Sequence, residues 1–129
     1  MTHPLANYAL HVALSLALTA AFIQVYSRVT PYDEFLLIRQ GNCAAALSFG
    51  GALLGFALTL ASCIFHASDL PQFLYWAASG LALQLLAYGV TTRCLGMSRE
   101  HIENNNVAFG TLLACIAVSI GAINAACIS

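Results

Sequence analysis

Few side chains in this sequence are equipped for chemistry, and they fall into two groups. Asp33, Glu34, Glu100 and Glu103 are four of its five acids, and each pair precedes an asparagine, Asn42 or Asn106, that introduces a long uncharged run. Amide oxygens at the mouths of two such runs could coordinate an ion or hydrogen-bond across two halves of a molecule. Clustered carboxylates could draw cations or a basic protein partner from the cytoplasm. The favoured readings are plainer: the asparagines as helix N-caps and the acids as a solvated interfacial face. The second group is His11, Cys63 and His66. Cys63 and His66 stand three apart, so on a helix both could face one soft metal such as zinc or copper. They are weak candidates, because no paired Cys or His motif of recognised spacing accompanies them, and neither a metal nor any other cofactor is expected. His11 reads as a neutral ring hydrogen-bonded among helices. The five cysteines mostly occupy apolar helical positions and read as small core residues. There is no glycine-rich phosphate loop and no nucleophile beside a base, so the chain is not expected to be an enzyme.

The elements that must carry these residues are set by composition. Apolar residues make up 60% of the chain and charged residues 7%, against about 25% charged in an average soluble domain. Mean hydropathy is +0.83. So few charges cannot cover a water-facing surface, and a lipid bilayer must face most of the molecule. With a net charge of −1, no lysine and four scattered arginines, nothing offers a basic patch for nucleic acid. The central stretch, Gly41 to Ser62, carries no charge and places Gly41, Ala45, Ser48, Ala52, Gly55, Thr59 and Ser62 on one side of a helix. Asn42, Ala46 and Gly50 widen that small face. Gly51 and Gly55 form a GxxxG pair, and Gly110, Ala114, Ala117 and Gly121 repeat the stripe later in the chain. Small faces of this kind let helices approach closely in lipid, where association depends on van der Waals contact.

Read in order, the chain predicts an all-α membrane protein with four transmembrane helices, forming a single integral domain over 1–129. The spans are Leu5–Tyr26, Gly41–His66, Phe73–Thr92 and Val107 to about Ile128, each near the twenty residues that cross a ~30 Å hydrocarbon core. The first lacks a preceding Lys or Arg and is too long for a signal h-region, so cleavage is not expected. Short amphipathic helices are expected in the two polar connections, with Pro31 stopping the first span and Asp33 and Glu34 favouring a new helix N-terminus. All four arginines lie in these connections, which places both in the cytoplasm and both termini outside. Sliding the chain by 64 residues pairs Asn42 with Asn106 and Cys63 with Cys127. This suggests tandem two-helix repeats, about 5–66 and 70–128, related by an axis along the membrane normal. Inside the spans no acid or run of arginines stands ready for a proton-driven pump or voltage sensor.

The run PYDEFLLIRQGNCAAALSFGGALLGFAL, followed by the weaker IENNNVAFGTLLACIAVSIGAIN, resembles the two halves of the family called domain of unknown function 350, or YjfL-like. The resemblance covers nearly the whole chain, and its most specific part is the acidic loop running into Gly41, Asn42, Ala44 and Ala45. It implies a small bacterial inner-membrane protein built from two halves, with no established activity. The second copy departs from the first where Asn105 answers Gly41 and Ser119 answers Gly55. Two function classes follow. One is a non-catalytic membrane scaffold, homo-oligomeric, whose cytoplasmic loops dock a partner; the alternative is a small ion channel or small-solute transporter lined by Asn42, Asn106, Ser48 and Gln84.

Overall fold

In the computed structural model, which describes residues 3–96 and 99–128, the chain folds as six helices and, among the described residues, no strand. Met97 and Ser98, inside the second polar connection, and Ser129 lie outside the described residues. The helices are α1 (Pro4–Val29), α2 (Glu34–Arg39), α3 (Cys43–His66), α4 (Leu70–Leu95), α5 (Arg99–Glu103) and α6 (Val107–Cys127). Four of them, α1, α3, α4 and α6, are long and apolar enough to cross a membrane. The 21 residues of α6, the shortest of the four, rise about 30 Å, the thickness of a hydrocarbon core.

α1 and α4 run several residues past the spans expected from hydropathy, because helices end where caps end them. Thr30, in extended conformation before Pro31, closes α1. Asp69 starts α4 by accepting from the Gln72 amide at 2.8 Å, while the Gln72 side-chain oxygen accepts from the Ser68 amide, also at 2.8 Å. Gly96, at φ 62°, stops α4 in the left-handed region.

α3 and α6 form the centre of the bundle and run side by side in the same direction. Their backbones touch. A Cβ on Gly51 would fall closer than 3.0 Å to Ala114, one on Gly110 equally close to Ala44, and one on Gly121 to the Gly55 backbone. Gly55 in turn lies against the Ala117 carbonyl and the Gln84 side chain. Only residues without side-chain bulk fit this seam, which is why the small positions of the two sequences recur at steps of three and four. Direct hydrogen bonds reinforce it. Ser62 Oγ donates to the Ala125 carbonyl at 2.6 Å, and Asn124 Nδ2 donates to Thr59 Oγ1 at 3.2 Å.

α4 packs against both central helices, with Gly80 seated on Thr59 and Gln84 Nε2 donating to the Ala117 carbonyl at 3.0 Å. α1 is attached less broadly. Its two buried residues are Phe22 and Tyr26, and Phe22 stacks on Phe56 with ring centroids 4.5 Å apart. Leu14, Leu18 and Ile23 are partly buried against the same core, while Leu5, Leu10 and Leu16 among others face outward, an arrangement suited to hydrocarbon and costly in water.

Candidate functional site

The acids and asparagines singled out for chemistry gather where α1 and α4 end and α3 and α6 begin. Asn42 caps α3, its Oδ1 accepting from the Ala45 amide at 2.9 Å, and Asn106 caps α6 by accepting from the Phe109 amide at 3.2 Å. Each amide oxygen is therefore engaged on its own helix. Asn42 also reaches across, donating from Nδ2 to the Ile102 carbonyl at 2.7 Å. A third asparagine, which sequence reasoning passed over, makes the return contact: Asn105 Oδ1 accepts from the Ala44 amide at 3.0 Å. Asn105 has φ 57° and Gly41 has φ 83°. Both turn the chain through the left-handed region just ahead of a cap, and asparagine is among the few residues after glycine that adopt it readily. The apparent departure between the halves thus keeps one backbone geometry. Gly41 serves that turn and not the seam, since a Cβ there would meet nothing within 4 Å.

The four acids do not share one solvated face. Asp33 is exposed and caps α2, accepting from the Leu36 amide at 3.1 Å. Glu100 is exposed on α5, and Glu103 pairs at the surface with Arg99 at 2.6 Å. Glu34 is the exception, 1% exposed. With Asp33 as the cap, the next residue turns inward beneath α1, where Glu34 Oε1 accepts from Thr30 Oγ1 at 2.7 Å and Oε2 has no partner. Glu34 thus departs from the expected solvated face, although the four spans themselves hold no acid. Burial pushes its carboxyl above the usual carboxylate range; the hydroxyls of Thr30 and, from further off, Ser27 oppose that shift, and Asp33 adds to it.

Around Glu34 lie hydroxyls from three further elements. Those of Tyr26 on α1 and Tyr32 in the first connection both interact with Ser48 of α3, and Tyr32 also with Tyr88 of α4. Glu34 is within electrostatic range of all three tyrosines. None of these approaches closes to a direct bond at Tyr32 or Ser48, whose oxygens are buried and unpartnered. Buried polar atoms are seldom left so. Burial also raises the Tyr32 phenol, against the effect of the Ser48 and Tyr88 hydroxyls. Outside Glu34, an open cleft of about 460 Å³ is lined by Ser27, Thr30, Tyr32, Asp33 and Arg99. Deeper in, Gln84, Tyr26, Tyr88, Leu113 and Ala117 enclose about 10 Å³ open to the centre of a water-sized sphere, roughly the room one water needs.

Ser48 belongs to this recess, whereas Ala45 lies in the core with Ile102 and Phe109. Gly51, Gly55, Gly110, Ala114, Ala117 and Gly121 all lie on the α3–α6 seam. The metal candidates are not brought together. Cys63 is fully buried in the main core, and His66 is exposed with Nδ1 3.0 Å from the Ser62 carbonyl. His11 Nδ1 lies 2.8 Å from the Asn7 carbonyl, with its ring edge-on to Phe73. Among the described residues, no three His, Cys, Asp or Glu side chains cluster.

Known proteins share this sequence over nearly its whole length. The UPF0719 inner membrane protein YjfL of Escherichia coli K12 is 34% identical over 116 residues, covering 90% of this chain and 88% of its own. The UPF0719 transmembrane protein YshE of Bacillus subtilis strain 168 is 29% identical over 125 residues, covering 95% and 92%. No solved structure matches. The model of the Domain of Unknown Function DUF350 matches residues 1–128, and the chain belongs to that family.

Proposed function

We propose that this chain is a multi-pass inner-membrane protein that acts as a closed, non-catalytic bundle, a scaffold and not a conduit. The observation that carries the reading is the α3–α6 seam: backbone meets backbone from Ala44 to Gly121, which leaves no water-wide path between the central helices of one chain. The arginine-bearing end faces the cytoplasm and both termini face outward, following the positive-inside rule. Tandem repetition is supported by matching caps, by matching left-handed residues, and by hydrogen bonds joining residues 61, 63 and 65 apart, which bracket the 64-residue slide. The bundle self-associates through the outward groove between α3 and α6, lined by Ala46, Gly50, Leu54, Ala114 and Val118, where a Cβ on Gly50 would meet nothing within 4 Å. A cytoplasmic partner meets the exposed Asp33 and Glu100 beside the half-exposed Phe35 and Leu36 of α2.

Purified protein in liposomes tests this reading. The expected result is no ion flux above that of empty vesicles. Selective flux abolished by Asn42→Leu would overturn it in favour of an oligomeric channel or carrier. Loss of a co-purifying cytoplasmic partner on Asp33→Asn with Glu100→Gln is the expected result for docking.

A further inference from the structure

We propose that Glu34 is a proton-binding site, exchanging its proton with water in the open cleft and backed by a recess of hydroxyl groups from Tyr26, Tyr32, Ser48 and Tyr88. The proposal stands independently of the scaffold reading. Glu34 forms part of the wall of the cleft, yet it is 1% exposed. Its Oε1 is held by Thr30 and its Oε2 is unpartnered.

The groups within electrostatic range of Glu34 are Asp33 on its own helix, Tyr26 from α1, Tyr32 from the connection and Tyr88 from α4, with Ser48 of α3 behind them beside Tyr26 and Tyr32. Arg99 lines the far side of the cleft, but its guanidinium is bonded to Glu103. Among the described residues no ion pair to Glu34 is formed, and a buried, unpaired carboxylate is costly enough that the group takes up a proton instead. In the exchange, hydronium in the cleft gives its proton to Oε2: one O–H bond of hydronium breaks, one forms on the carboxyl, and water remains. The reverse step returns the proton to the same side. Inward the route stops, because Gln84 is tied to the Ala117 carbonyl beside the point where Gly55 and Gly121 meet. The site loads and unloads from one face.

Glu34 is one of only three glutamates, with Glu100 and Glu103, so a chain labelled with carboxyl-¹³C glutamate in nanodiscs gives three resonances to follow against pH. One is expected to titrate above the ordinary carboxylate range and to vanish in Glu34→Gln. Thr30→Val, which removes a hydrogen bond to the charged form, strengthens proton affinity about tenfold. Asp33→Asn, which keeps a capping side chain and removes a like charge, weakens it about threefold. These opposite shifts are a readout that mere structural support would not produce, and they do not depend on how Glu34→Gln folds. Three carboxyls all titrating in the ordinary range would overturn the proposal. So would a midpoint that moves when sodium replaces potassium or choline at constant ionic strength, since the ligand would then be a metal ion.

Discussion

A single methyl group added to the α3–α6 seam should be enough to measure how the bundle is held. In Gly121→Ala the new Cβ falls closer than 3.0 Å to the Cα, carbonyl carbon and oxygen of Gly55. These are backbone atoms that cannot rotate aside, so the two helices must separate, and the contacts at Gly51 and Gly110 loosen with them. Overpacking of this kind costs about 1–3 kcal/mol. Replacing a helical glycine by alanine returns at most about 1 kcal/mol of propensity. The net is a loss of up to about 2 kcal/mol. Gly89→Ala is the matched control: it sits in α4 with nothing within 4 Å of its Cβ, so only the favourable propensity term applies. Unfolding in mixed micelles of rising sodium dodecyl sulfate, followed by the fluorescence of Trp76, the only tryptophan, reads both. The two variants should move the midpoint in opposite directions. If Gly121→Ala is as stable as Gly89→Ala, α3 and α6 do not pack backbone to backbone, and the closed-bundle reading loses its support.

Three further outcomes follow from the same geometry. The folded chain holds the Glu34 proton more tightly than the unfolded chain does. The stability this group contributes is therefore full below the ordinary carboxylate pKa and is lost as pH climbs through the raised folded value; Glu34→Gln should flatten that decline and stabilise the protein at neutral pH, as seen by detergent unfolding across a pH series. Asn105→Ala should cost about 1–2 kcal/mol more than Asn105→Gly, because both lose the acceptor for the Ala44 amide but only alanine is strained at φ 57°; equal losses would mean the left-handed turn does not matter. In single-cysteine variants, an impermeant maleimide added to intact cells should label the exposed Cys127 and reach the exposed Cys43 and Cys94 only after the membrane is opened; the reverse pattern would invert the orientation.

The four spans were legible because uncharged runs of about twenty residues admit few other structures. The caps at Asn42 and Asn106 were legible too, because side-chain oxygens ahead of an apolar run have few better uses; near Asp33 only the start of a helix was. The small-residue stripes marked which faces would meet, and α3 and α6 do meet along them. Asn105 was hidden among three consecutive asparagines that composition cannot tell apart, and only its backbone angle distinguishes it. Glu34 was hidden for a different reason. α2 has six residues, too few for periodicity to show which way a side chain faces, and the neighbours that bury it come from α1, α3 and α4.

That origin explains why the acid and the seam belong to one design. The small residues of α3 and α6 bring the central pair close, and α1 and α4 then lay their arginine-bearing ends over α3, carrying Tyr26 to Ser48 and Tyr88 to Tyr32. The lid over Glu34 depends on α1, whose only fully buried residues are Phe22 and Tyr26. A carboxyl that loses its proton under such a lid raises the cost of keeping it closed, while one that regains it lowers that cost. The least firmly attached helix of the bundle is thus coupled to the acid it buries, and the docking of α1 should follow the charge on Glu34, whereas the glycine seam, which holds no titratable group, should not.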